Sequence, residues 1–518
     1  TNSAAHSGSE TDPIPVYSAY GSAVKLTIKK TDGTDYPAGV ILSQGVQLVL
    51  GSGLNGSIDV TPDFIKLPSP VAAGGEAVYK VTVKATGEGF DDSTTRTLYY
   101  KVCREVKTVT STLPMWHILK EAIAHTSAGG TVVVNGEIKA TNAGGNNGEI
   151  TIGKSLTIEK ADGATSAVIN ANKNNLSNGN KDRIFKVESG KTLTLENLTL
   201  KGGQNSGTFG GAINVTGGLS KAELTDCIIE DCQAGQGGAI GCGKGTAVTL
   251  TNTTIQNCKA HTPVNNGTGG AIYAQGATVT LTNCTLKGNE AQENGGAIHV
   301  EKSGTPSFAP STVTIEGGII GGTNAADANK VTSPYGFGGG IYVNDGCILT
   351  LNEYTDDGGV KYGVRIIGNE AGRAGGVRAN NSIVTMENCT ISGNKATDNS
   401  NLGGGGGVYT HGGTLTMTRC TLTGNTAVNN GGGLNIEKGS AVITNCTLTG
   451  NEAAKAGGGV YVDGTMTMSG SATVTPSVGS DIDKPGKNDV YLKSGKTITV
   501  NGKLNPTGGT AARITPET

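Results

Sequence analysis

The sequence is poor in the residues that usually fill a globular core. Of its 518 residues only six are phenylalanine and one is tryptophan, and aromatics make up 4%. That excludes a compact globule packed around large rings and leaves a core of aliphatic side chains. Proline is scarce too, at 15, and with glycine it stays below the roughly 25–30% that marks aperiodic low-complexity chains. The net charge is −2 with no long run of either sign, which argues against nucleic acid or an anionic membrane surface as partner. No apolar stretch approaches the roughly 18–20 residues that span a bilayer as a helix, so no transmembrane segment is expected in this chain. It opens on the polar TNSAAHSGSETDP, without initiator methionine or signal peptide, and reads as mature or trimmed. Residues 1–13 are expected to be disordered or a linker.

From Ile14 to Cys103 apolar and polar residues alternate. AVKLTIKK (Ala23–Lys30), ILSQGVQLVLG (Ile41–Gly51), AVYKVTVKATG (Ala77–Gly87) and TLYYKVC (Thr97–Cys103) are separated by turns such as TDGTD and GSGLNG. Period-2 alternation with such turns predicts an antiparallel sheet pair, a small Ig-like β-sandwich over residues 14–104. In the following TLPMWHILKEAIAHTSAGG, Met115, Ile118, Leu119, Ala122 and Ile123 share one helical face. The spacing predicts a helix over about 113–125, capped by Thr112, with Pro114 in its first turn and Gly129–Gly130 at its end. Its apolar face is expected to cover the open end of a β stack.

Glycine, in contrast, is abundant at 84 residues, and beyond Gly130 it is placed regularly. The residue before the aliphatic of GG[AG][IVL] falls at Ala212, Ala239, Ala271, Ala297, Gly340, Gly376, Gly407, Gly433 and Gly459; Ala271 and Ala297, and Gly433 and Gly459, are 26 residues apart. A basal period of that size, lengthened by insertions, fits one coil of a β-solenoid over residues 105–518. Within a coil, GGAIHV and ATVTLTNCTLKGN alternate in and out, which a helix cannot do. A coil cannot stand alone and is stabilised by stacking on its neighbours. GGGGGV (Gly403–Val408) contains a superficial GxGxxG, but no helix follows it, so it lacks the phosphate-binding mechanism.

The pairing of GGAI with LxGNxA (Leu286–Ala291, Leu422–Ala427, Leu448–Ala453) resembles the GGAI and FxxN repeats of chlamydial polymorphic outer membrane proteins. Leu or Ile stands here where that family has Phe. More broadly the chain resembles right-handed parallel β-helix proteins of the pectate-lyase type found on bacterial surfaces. The resemblance covers about residues 110–518. It implies an all-β, right-handed parallel β-helix, an extracellular or cell-surface location and a monomeric rod. It does not imply one function, because the family hosts adhesins, lyases and plain spacers. No autotransporter barrel follows the last coil, and the ending NGKLNPTGGTAARITPET reads like a cut within a longer protein.

Cys227, Cys284, Cys389, Cys420 and Cys446 share a repeat position held elsewhere by Leu198, Thr253, Gly318 and Val364. A slot that accepts all of these is an inward core slot, where Cys acts as a small hydrophobe; Cys242 matches another such slot. Cys232 and Cys258 instead replace the Asn of LxGN in two successive coils. Stacked coils would bring them within disulfide range at about 5 Å between Cα atoms, so they are the candidate disulfide. Asn252, Asn283, Asn388 and Asn445, and the LxGN residues Asn289, Asn369, Asn394, Asn425 and Asn451, are read as corner residues, since Asn tolerates left-handed backbone and can bond from coil to coil.

The residue after the GG[AG][IVL] aliphatic reads Asn214, Gly241, Tyr273, His299, Tyr342, Arg378, Tyr409, Asn435 and Tyr461 in successive coils. Two positions later come Thr216, Gly243, Gln275, Glu301, Asn344, Asn380, His411, Glu437 and Asp463. Both are expected to form outward columns on one face. Tyrosine offers a ring face and a hydroxyl, so Tyr273, His299, Glu301, Tyr342, Asn344, Arg378, Asn380, Tyr409, His411, Glu437, Tyr461 and Asp463 are the candidate ligand-binding residues of an adhesin-like protein that binds glycan or host protein.

Insertions at 302–311, 323–338 and 352–363 supply loops on the scaffold, where function concentrates; Tyr335 and Phe337 stand out in them. Two further readings stay open. A polysaccharide lyase or glycoside hydrolase would require paired carboxylates or an acidic calcium site with a basic residue. Glu437 with Asp463, or Asp356, Asp357, Arg365, Arg373 and Arg378, are its candidates. Calcium enters only under that reading; otherwise no cofactor, metal or catalytic residue is expected. The third reading is a structural stalk without ligand.

Overall fold

A computed structural model of the chain describes residues 116–518 apart from 127, 144, 178, 180, 206–208, 262–266, 305–307, 401–403, 476–485, 507–508 and 518; before residue 116 it describes strands alone. The chain divides into two compact units, Thr1–Ser127 and Ala128–Thr518.

In the first unit Ile14–Ala19, Ile41–Gly51, Glu76–Thr86 and Arg96–Glu105 form one sheet. The last of these strands pairs in parallel with the first and antiparallel with the third, which pairs antiparallel with the second. Three of the four predicted strands are thus present, and Ile14–Ala19 adds another. Residues 1–13, the predicted strand at 23–30 and the second layer of an Ig-like sandwich fall outside the described residues. The helix runs Trp116–His125. Ile118, Leu119, Ala122 and Ile123 of its predicted face are buried, and Trp116 with them.

The second unit is a parallel β-helix. Each regular coil has three strands and a short fourth, as in Ile272–Gln275, Thr278–Thr282, Thr285–Lys287 and Glu290–Ala291. Every strand pairs in parallel with its equivalent one coil on, so Ile272 meets Ile298, Val279 meets Val313 and Leu286 meets Ile320. The fourth strands make a ladder of their own, eight strands from Gln233–Ala234 to Glu452–Ala453. Period-2 alternation places Ile272 and Ala274, Val279 and Leu281, Leu286 and Ala291 in the core, all 1% exposed or less.

Two kinds of asparagine shape the corners. Asn252, Asn283, Asn388 and Asn445 take left-handed backbone, with φ between 49° and 55°, which lets the chain turn before the cysteine slot. Asn289, Asn369, Asn394, Asn425 and Asn451 are fully buried. Each side-chain amide donates to the carbonyl oxygen of the next asparagine and to a main-chain carbonyl of the coil before. A buried polar ladder of this kind holds only when every member is satisfied. Asn329 is the rung between Asn289 and Asn369, and Asn488 extends the ladder beyond Asn451.

Candidate functional site

The two columns aligned from sequence are in register. Tyr273 pairs with His299, His299 with Tyr342, Tyr342 with Arg378, Arg378 with Tyr409, Tyr409 with Asn435 and Asn435 with Tyr461. Their surroundings differ from the expectation of an open face. Tyr273 is 1% exposed, His299 4%, Arg378 5%, and Tyr342 and Tyr409 are buried too. These side chains leave the core side of the sheet but do not reach solvent, because the chain folds back over them.

The backbone explains the cover. The first glycine of the GG pair has positive φ, +64° at Gly295, with Ala374 taking that position at +61° in one coil, and this residue turns the one before it above the strand. Those preceding residues form a ladder of isolated bridges, Phe209, Gln236, Thr268, Asn294, Phe337 and Arg373, resumed by Gly404, Asn430 and Ala456. A Cβ on Gly241 would meet Phe209, and one on Gly404 would meet the Asn435 amide. Each roof residue therefore lies over the outward side chain of the next coil.

Between sheet and roof lies a second buried layer. The Phe209 and Tyr273 rings are 5.4 Å apart, Tyr273 and His299 5.4 Å, His299 and Tyr342 4.9 Å, and Phe337 stacks on Tyr342 at 5.7 Å. The Arg378 guanidinium sits 5.1 Å from the Phe337 ring and 3.6 Å from the Tyr409 ring, a cation–π sandwich. Its Nε and Nη1 have no hydrogen-bond partner, and burial lowers its proton affinity. Both ring nitrogens of His299 also lack a partner, and burial lowers its pKa to about 4 although Glu301 opposes this.

The second column reaches solvent in part. Gln275, Glu301, Asn344, Asn380, His411, Glu437 and Asp463 are all half-buried and line up on successive coils. Several are held from below. Tyr273 donates its hydroxyl to Glu301, and Gln275 donates to the same carboxylate at 2.9 Å. Tyr342 donates to Asn344 at 3.2 Å, and Asn380 donates to the same Asn344 oxygen at 3.0 Å. Tyr409 donates to Glu437, and His411 Nδ1 is 3.4 Å from it. Burial alone would raise the Glu437 pKa, but Tyr409, His411 and Arg378 bring it below the usual carboxylate value. The sequence-predicted residues thus separate into a buried row that fixes and a half-exposed strip that presents. Tyr461 is half-buried and stacks on Tyr491 at 5.5 Å.

Residues 283–301 match the Chlamydia polymorphic membrane protein repeat. The match covers part of one coil, from the corner Asn283 through Asn289 to Glu301 of the strip, and bears out the likeness of GGAI and LxGN to those repeats. It supports a surface or outer-membrane placement. No curated protein matches the chain, and no solved structure does. Among the described residues no helix is long and apolar enough to cross a membrane.

The other candidates take separate settings. Asp356 accepts from Val360 N at 2.8 Å in the turn of an exposed ribbon formed by Tyr354–Thr355 and Lys361–Tyr362. Asp357 and Arg365 are exposed, Arg373 pairs with Asp398 at 2.6 Å and Arg378 is in the buried layer. Asp463 lines a shallow cleft with Lys438, Thr465 and Lys496, the last 3.3 Å from its carboxylate. Among the described residues no group of three or more His, Cys, Asp or Glu is placed to hold a metal ion. Cys232 and Cys258 are buried free thiols in the asparagine ladder, where Cys258 N donates to Asn289.

In the insertions Phe308, Tyr335 and Tyr362 are exposed, at 58%, 59% and 48%, whereas Phe337 serves in the roof. Alternation alone hid that roof. Its signal in the sequence is the placement of two of the six phenylalanines, Phe209 and Phe337, directly before a GG pair.

Proposed function

We propose that the chain is a surface-displayed, adhesin-like β-helix that binds glycan through its half-exposed strip and the neighbouring insertion loops. The observation that carries this reading is the fixing of Glu301, Asn344 and Glu437 by the tyrosines beneath them. Hydrogen-bonding groups held in place before binding lose little rotamer freedom on meeting a ligand. Gln275, Glu301, Asn344, Asn380, His411 and Glu437 offer a mixed row of donors and acceptors, which suits a polyhydroxylated chain laid across successive coils at about 4.8 Å per coil. Exposed Phe308 and Tyr335 add ring faces for stacking against sugar C–H groups. A host protein is the second reading, supported by the exposed Val360 and Tyr362 on the inserted ribbon.

A glycan array tests the first reading. Binding that is lost in an Asn380→Ala/Glu437→Gln double variant, with folding intact by circular dichroism, supports it. Binding that survives in that variant and disappears on deletion of the 353–362 ribbon transfers the site to the loops. An array with no bound glycan at micromolar protein sinks the glycan reading.

A further inference from the structure

The corner that opens the third strand of each coil carries a pattern that its backbone does not require. Five of these corners hold Asn197, Asn252, Asn283, Asn388 and Asn445, and each is followed two residues later by threonine, as Thr199, Thr254, Thr285, Thr390 and Thr447. The strand register stacks these threonines with Ile228, Ile319, Arg365, Thr421 and Thr473 of other coils. The corners of those coils hold Asp226, Gly317, Gly363, Arg419 and Ser471 instead. Left-handed backbone, with φ between 49° and 56°, accounts for the five asparagines. It does not account for the threonines. Their slot also accepts isoleucine and arginine, yet wherever the corner is asparagine the slot is threonine.

The buried ladder supplies the comparison. Asn289, Asn369, Asn394, Asn425 and Asn451 are each followed two residues later by alanine. The Asn-X-Thr triplet therefore marks the corner asparagines and is missing from the buried rungs. Asn197, Asn252, Asn283 and Asn445 are exposed, and Asn388 is half-buried. In Asn252 and Asn445 the side-chain oxygen is the atom that bonds, accepting from Asn283 at 2.9 Å and from the Ser471 main-chain N–H at 2.9 Å. Their amide nitrogens have no protein partner among the described residues. Asp226 separates Asn197 from Asn252, and Arg419 separates Asn388 from Asn445. These asparagines thus stand two coils apart, about 10 Å, which leaves room for a bulky group on each. Asn252 and Asn283 lie in adjacent coils, about 5 Å apart, with room for one such group between them.

We infer that this corner column is a row of N-glycosylation sites. Asn197, Asn388 and Asn445, with one of Asn252 and Asn283, receive sugars from a phosphate-activated donor through a glycosyltransferase. Asn-X-Ser/Thr is the acceptor triplet of that reaction. The side-chain nitrogen bonds to the anomeric carbon and the anomeric C–O bond to phosphate breaks. The phosphate leaves with the electron pair, and the amide proton passes to a base of the transferase. The middle residues of the triplets, Leu198, Thr253, Cys284, Cys389 and Cys446, are all 3% exposed or less. A triplet can therefore enter an enzyme's cleft only before its coil closes, so the sugars are added ahead of folding. The closed coil accommodates them because the corner side chains stay outside. Asn214 opens the same triplet but is buried beneath the roof. A sugar there would keep the coil from closing, so folded protein should lack it. The inference is independent of what the strip binds.

The test is peptide mass spectrometry, with fragmentation that keeps sugars attached, on the full chain purified from its native cells. Sugar mass is expected on Asn197, Asn388 and Asn445, on Asn252 and Asn283 with occupancies that sum to no more than one, and not on Asn214. Thr390→Val, made in the same cells, breaks the triplet with a β-branched residue that suits a strand. It should abolish the increment on Asn388, whereas Thr390→Ser should keep it. Unmodified peptides at Asn197, Asn388 and Asn445 in the wild type overturn the proposal without recourse to any variant. So does sugar on Asn214 as frequent as at the corners, sugar on the threonine hydroxyls in place of the asparagines, or an Asn388 increment that survives Thr390→Val.

Discussion

Asn394 donates its side-chain amide to the carbonyl oxygen of Asn425 at 2.9 Å, and that oxygen also accepts the Asn394 main-chain N–H at 3.0 Å. Two donors of one residue meet one acceptor of the next, and the pattern repeats along the ladder. Removing one rung should be costly. Asn394→Ala removes the acceptor of one Asn369 amide hydrogen and of the Asn369 main-chain N–H, and one donor to the Ile366 carbonyl, all buried. At about 1–3 kcal/mol per unsatisfied buried group, partly relieved by relaxation, the expected loss is about 3 kcal/mol in urea unfolding. The exposed left-handed Asn283 is the control. Asn283→Gly keeps the backbone accessible and should stay within about 0.5 kcal/mol. Equal losses at the two positions would sink the ladder argument.

Arg378 carries its charge into the buried layer without a bound carboxylate, held by the faces of Phe337 and Tyr409. Replacing a buried charge by a packed apolar or aromatic residue is often neutral or stabilising, and this slot holds tyrosine on either side. Arg378→Tyr is therefore expected to match the wild type or exceed it by about 1 kcal/mol. A loss of about 2 kcal/mol or more would mean that the guanidinium has bonding partners the packing does not reveal.

Ala374 occupies the position that holds the first glycine of the pair in the neighbouring coils, and its φ is +61°. Left-handed backbone costs a residue with a Cβ about 1–2 kcal/mol. Ala374→Gly relieves this and loses part of the gain to the freer unfolded chain. The expected net effect is a stabilisation of up to about 1 kcal/mol, read as a higher urea midpoint. A lower midpoint would show that the methyl group packs favourably enough to outweigh the strain.

Much of the architecture was legible because stacking repeats one decision many times. The spacing of Ala271, Ala297, Gly433 and Gly459 set the coil, and with it the register of Tyr273, His299, Tyr342 and Arg378 that the strand pairing bears out. The cysteine slot was legible because Leu198 and Val364 share it, and both are buried. What alternation could not supply was the environment outside the sheet. Period 2 says which side of a strand a residue takes, not whether another part of the chain covers that side. Asn329 and Asn488 escaped for a different reason, since insertion moves the first away from LxGN and the second stands in KNDV.

The Tyr409 hydroxyl and Glu437 make a pH-dependent contact. Glu437 has a folded-state pKa below its ordinary 4.5, so the interaction adds stability above that value and loses it as pH falls through the lowered one. The stability difference between wild type and Tyr409→Phe should therefore be larger at pH 7 than at pH 3. The titration of His299, whose pKa burial lowers to about 4, is common to both proteins and cancels in the comparison. A difference that is the same at the two pH values would show that Tyr409 acts through its ring alone.

The nine described cysteines are all buried free thiols. Burial pushes Cys242 up to about 12 and Cys227, Cys284 and Cys347 up to about 11, while the neighbouring Cys389 thiol and burial take Cys420 to about 12. The thiolate is the reactive form, so these groups are shielded both sterically and electrostatically. Iodoacetamide at pH 8 should leave peptides containing Cys284, Cys389, Cys420 and Cys446 unmodified in the native protein and modify all of them in urea. Cys232 and Cys258 sit where the asparagine ladder begins, and if they remain thiols they should label in urea without a reductant. Labelling of that pair only after reduction would mean that the stacked thiols close into a disulfide. Native-state labelling at Cys420 would show that the three-cysteine run from Cys389 to Cys446 opens locally, and would place the weakest point of the core in that run.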